Sequence, residues 1–119
     1  MFAALVLAGA LSSAPQAQPL DVDTAINCAG LYMALSTDEQ QTEQERRDTE
    51  SVLPVLFTRL RQLAQRQGTT FEALQPRLYA AADKYKDQLD AAAQPAARGQ
   101  LKTQWRPTQL VCMSRAAAS

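Results

Sequence analysis

Histidine is absent from all 119 residues. Its absence removes the commonest metal ligand and the usual base that converts a cysteine thiol into a thiolate. Cysteine occurs only twice, at Cys28 and Cys112, far from the Cys-x-x-Cys spacing of structural zinc sites. The four glycines form no phosphate-cradling loop or dinucleotide fingerprint, and no serine-nucleophile motif is present. An excess of one charge is lacking as well: 12 Lys+Arg face 12 Asp+Glu, so nothing draws the chain to nucleic acid or an anionic membrane. No apolar run approaches the roughly 20 residues of a membrane span. No metal, cofactor, catalytic residue or nucleic-acid partner is expected.

What is there begins with residues 1–20, which carry no charge. The apolar run Phe2–Leu11, followed by small residues, Pro and Gln, reads as the core and cleavage region of a secretory signal peptide, cut near residues 14–18. A basic start is missing, and Ala10 stands where a lipoprotein signal would have its cysteine, so no lipid anchor is expected. Cleavage leaves residues 21–119, enough for one domain with a single core and no stable membrane insertion. In an exported chain an even pair of cysteines favours a disulfide. Cys28 and Cys112 would then join the two ends of the domain, in the periplasm or secreted space.

Apolar spacing is helical nearly throughout, and no segment alternates like a strand. A first helix is expected over about residues 22–35, capped by Asp21 or Asp23, with Ala25, Cys28, Ala29, Tyr32 and Leu35 on one face. Thr37, three residues before Gln40, suggests the cap of the next helix. Residues 39–50 contain no apolar side chain, and Glu43 is spaced to pair with Arg46 and Arg47, which favours a solvated helix over a mobile acidic loop. Beyond Ser51, Leu53, Leu56, Leu60 and Leu63 form a stripe, beside Val52, Phe57 and Ala64, and Gly68 stops it. Pro54 should kink this helix or start a new one. Thr69–Thr70 should cap the next element, with Glu72 placed for a capping box from Thr69, and Pro76 should divide a short turn from a helix over about residues 76–93. There Leu78, Ala82, Tyr85 and Leu89 share a face. Pro107 should split the remainder into one helix ending at Trp105 and a short one over about residues 107–115. The expected fold is all-α: a small antiparallel bundle of about four helices, the first and last stapled by one disulfide.

Acidic side chains concentrate in the first half, eight against two basic over residues 21–53, and basic ones in the second. Asp83, Asp87 and Asp90 fall on one side of the third helix, where Lys84 and Lys86 mark an ordinary solvated face. Candidate partner contacts are Tyr79, which falls off the apolar stripe, and the Trp105–Arg106 pair, both residue types being common at binding hot spots. Core use of Trp105 carries the greater weight. Glu43, Glu45 and Glu50 could offer an acidic arm to a basic partner, against the plainer reading of a solubilising surface. The function expected is non-enzymatic: protein–protein binding as an inhibitor, immunity factor or accessory subunit. The alternative is a periplasmic stress chaperone that partly unfolds at low pH as its acidic groups protonate.

Overall fold

The computed structural model describes residues 20–118; the leader expected over residues 1–20 lies outside them except for Leu20, which is buried in the core. Four helices follow in order: α1, Val22–Ser36; α2, Glu43–Arg66; α3, Phe71–Ala91; and α4, Pro95–Ala118. Among the described residues there is no strand.

α1 is the centre of the molecule. Ten of its fifteen residues are buried, as expected of a helix apolar on all sides and enclosed by its neighbours. α2 and α3 pack against it extensively, and α4 more lightly. α3 runs in the same direction as α1: Arg77 ion-pairs with Asp23 near the start, and the Gln40 side chain reaches the Ala93 carbonyl beyond the far end. Midway, Gly30 lets the two backbones touch; a Cβ there would sit 2.6 Å from Ala81 Cβ and 2.8 Å from the Ala81 carbonyl carbon. α4 runs opposite to α1, pairing Arg98 with Asp38, Gln109 with Tyr32 and Arg115 with Thr24. Cys112 and Cys28 form the expected disulfide, with Cα atoms 5.6 Å apart. Both are fully buried.

Local chemistry sets the helix ends. Asp21 caps α1, accepting the Thr24 N–H at 2.7 Å. α2 begins later than expected: Thr37 is not its cap, because residues 37–42 form a loop. Thr42 caps it instead, accepting from the Glu45 N–H at 3.1 Å while the Glu45 carboxylate accepts the Thr42 N–H at 2.8 Å. Two orphan donors are satisfied at once. Gly68, at φ 72°, ends α2; its N–H and that of Thr69 bond back to Gln65 and Ala64, the Schellman arrangement that glycine permits. Thr70 rather than Thr69 caps α3, accepting from Ala73 N–H at 3.1 Å.

Pro76 and Pro107 were expected to divide helices and Pro54 to kink one or start a new one, yet all three lie inside continuous helices and Pro54 starts none. Each ring is exposed, and buried residues flank it on both sides: Val52 and Leu56, Leu74 and Leu78, Trp105 and Cys112. Core packing before and after each proline outweighs the lost hydrogen bond, a cost of about 3 kcal/mol in an unsupported helix. The buried stripe of α2 also differs from expectation. Leu56 and Leu60 are fully buried, but Thr49, Val52 and Ala64 complete the inward face. Leu53 and Leu63 are half-buried at its edges.

Candidate functional site

Two features stand out on this scaffold, a buried charge cluster and an apolar groove. The cluster forms where the loop between α1 and α2 meets the first half of α4. Asp38 is fully buried, with no side-chain exposure, while Arg98, Lys102 and Glu45 keep only 12%, 17% and 15%. Asp38 Oδ1 accepts from Arg98 Nη1 at 2.6 Å and from the Gln40 N–H at 3.0 Å. Its Oδ2 lies 2.5 Å from Lys102 Nζ, which also reaches Glu45 Oε1 at 3.0 Å. Arg98 donates further to the Leu89 and Ala92 carbonyls at 2.7 and 3.1 Å, placing a cation at the C-terminus of α3, where the helix dipole favours one. Burial pushes the Asp38 carboxyl up, but Lys102, the Gln40 amide and the Arg98 charge outweigh it and hold the group below its ordinary value. Beside the cluster is a depression of about 320 Å³, bordered by Glu39, Lys86 and Asp90.

The groove lies on the outer face of α2. It is open, about 570 Å³, and lined by Leu53, Pro54 and Phe57, with Glu50 towards one end and Thr58 and Arg61 towards the other. Phe57 meets Phe71 edge to face at 6.0 Å, and the Arg61 guanidinium lies 5.0 Å above the Phe71 ring. At the Glu50 end the buried Thr49 hydroxyl has no hydrogen-bond partner among the described residues. Pro54, lacking an N–H, also leaves the Glu50 carbonyl without its helical donor.

The sequence candidates are scattered. Tyr79 is exposed on α3. Trp105 is buried, stacked edge to face on Tyr85 at 5.2 Å, with its indole N–H donating to Gln88 at 3.2 Å; this is the core use given greater weight. Its neighbour Arg106 is exposed. Glu43 and Glu50 are exposed but share Arg46, and Glu43 also pairs with Arg47 at 3.5 Å. Glu45 is turned inward to its cap and Lys102. Asp83, Asp87 and Asp90 are exposed along α3. Among the described residues, no three His, Cys, Asp or Glu side chains converge as metal ligands would. No described helix is long and apolar enough to cross a membrane.

The charge cluster is not readable from the sequence, because Asp38 and Arg98 stand 60 residues apart and neither sits in a motif. The groove was partly visible: Leu53 and Phe57 were counted as apolar, but assigned to the core rather than to its outer margin. The fold is an all-α bundle with a first-to-last disulfide. No protein-family model matches this chain, no curated protein matches it in sequence, and no solved structure matches it.

Proposed function

We propose that the protein is an exported, non-catalytic helical domain that works by binding another protein, as an inhibitor, immunity factor or accessory subunit. The observation that carries this reading is the groove on α2. Its apolar floor of Leu53, Pro54 and Phe57 sits between charged ends, the arrangement of apolar centre and polar rim found at protein interfaces. The occupant that fits is a partner helix with an apolar face and an acidic side chain opposite Arg61. Glu50 is already engaged by Arg46 at 3.0 Å, so the positive end has more unmet charge. The buried Cys28–Cys112 bridge supports export, since such bonds persist in oxidising compartments.

The test uses the folded protein as bait for an envelope extract, alongside Arg61→Glu, which reverses the charged end, and Thr58→Trp, which fills the groove. Both positions are exposed, so both variants should keep the wild-type helical signal. A partner retained by wild type and by Tyr79→Ser, but lost with both groove variants, is the expected result. Retention unchanged by both, or no retained protein, would overturn the reading.

The charge cluster favours a second reading, a stress chaperone that opens in acid. Protection of an unfolded client from aggregation at low pH, and not at neutral pH, is its expected signature.

A further inference from the structure

We propose that the first half of α4, residues 95–106, is an acid-released flap that hinges at Pro107 while Cys112 keeps the second half fastened to α1. This inference bears on the chaperone reading but stands without it, because opening is a property of the fold whether or not a client binds.

Three observations carry it. α4 packs on the rest of the molecule more lightly than α2 and α3 pack on α1, and it is held at two separate places. The second half is held covalently through Cys112, with Ala116 buried beyond it. The first half is held by charge, through Arg98 and Lys102 on Asp38 and Glu45, and by Trp105 on Tyr85. Between the two lies Pro107, which has no N–H to give the Thr103 carbonyl, so the helical ladder is already interrupted where bending would occur.

The two fastenings respond differently to acid. The disulfide does not titrate, whereas protonating Asp38 removes the one fully buried anion facing two cations. Arg98 would keep only the neutral Leu89 and Ala92 carbonyls, and Lys102 only the Gln40 carbonyl at 3.4 Å and Glu45. A buried cation stripped of its counter-ion is strongly unfavourable and moves towards water. The surrounding groups do not replace Asp38. Glu45 from α2 already shares Lys102, Glu39 and Asp90 border the depression rather than reach either cation, and Lys86 from α3 adds like charge. The folded-state value of Asp38 is depressed, so its contribution is complete at neutral pH and is lost as pH falls through that value, below 3.8. Release is therefore a strongly acidic event. It would uncover Tyr85 and free Trp105, the chain's single tryptophan, which makes the movement directly visible.

The experiment follows Trp105 emission, far-UV ellipticity and binding of an apolar dye as the oxidised protein is acidified. A reversible red shift with new dye binding, while most helical signal persists, is the expected result. Emission that never shifts, or that shifts in one step with loss of all helix, would overturn the proposal. A second variant isolates the cause: Asp38→Asn, Glu45→Gln, Arg98→Met and Lys102→Met together leave the cluster neutral and keep both the Gln40 and Thr42 contacts. The acid shift of Trp105 should disappear from it, and an unchanged shift would overturn the proposal. Should this variant fail to fold at neutral pH, the wild-type titration decides. Client protection without movement of Trp105 would refute the flap and leave the chaperone reading intact.

Discussion

Gly30 and Gly99 are both helical glycines with opposite surroundings. A methyl group at Gly30 would meet the Ala81 and Ala82 backbone at 2.8 and 2.9 Å, whereas nothing lies within 4 Å of one at Gly99. Gly30→Ala should therefore push α1 from α3 and cost about 1–3 kcal/mol, the usual range for overpacking. Gly99→Ala should stabilise α4 by about 0.5–1 kcal/mol, because it reduces unfolded-state freedom without strain. Urea denaturation of the two variants checks the sign of each. Tyr32 gives a pH prediction. Burial, with some help from Asp48, raises its hydroxyl from 10.0 to about 12. A raised folded value means that its contribution is complete below pH 10 and is lost as pH climbs towards 12. Wild type should lose thermal stability over that alkaline interval, and Tyr32→Phe should lose less.

At the scale of the element, α2 joins a polar beginning to an apolar middle. Its first turns bury only Thr49, so they depend on the Thr42–Glu45 capping box and on the Arg46 ion pairs rather than on core packing. Exposed pairs of this kind are screened by water and contribute little each. Removing the cap with Thr42→Ala should cost about 0.5–2 kcal/mol, with hydrogen exchange accelerated over residues 46–50 and little changed beyond Leu56. In the middle, Leu60→Ala should cost about 2–5 kcal/mol because Leu60 is fully buried. Half-buried Leu63 should cost distinctly less on the same change. These elements also mark how far local sequence reaches. Helical periodicity located all four helices, capping chemistry narrowed the first cap to Asp21 or Asp23 and marked Gly68 as a stop, and the even cysteine pair gave the bridge between the ends. Local sequence misplaced the cap of α2, and of the Thr69–Thr70 pair before α3 it put the capping box on the wrong member. Two Thr residues stand near each start, and only the loop path decides which side chain meets the free N–H groups. It also split helices at prolines, since whether flanking residues can hold a helix together is a tertiary matter. The charge cluster stayed hidden, and the groove residues Leu53 and Phe57 were read as core, for the same reason: each depends on how α4 or α2 is rotated about its axis.

For the whole molecule, the Cys28–Cys112 bond closes a loop of 84 residues in separation. The chain-entropy account assigns such a closure about 4–5 kcal/mol, comparable with the low end of total stability for a small domain, about 5 kcal/mol. The oxidised protein, denatured without reductant, should show no free thiol. Reduction should lower the urea midpoint sharply, since α4 is otherwise only lightly packed. Recovery of two thiols from the unreduced protein would contradict the bridge, and an unchanged midpoint after reduction would contradict its weight.

The same bond also governs how the protein carries load. A pull applied at residues 20 and 118 enters α1, crosses from one sulfur to the other and leaves through the tail of α4, so the 84-residue interval between the cysteines bears no tension. Gripped at residues 20 and 118, an oxidised molecule stretched in a single-molecule instrument can lengthen only by the few residues outside the two cysteines. A reduced one can add about 280–300 Å, the contour of that interval at roughly 3.3–3.6 Å per residue. Most of the fold is thus mechanically silent until a reductant reaches a fully enclosed pair of sulfurs.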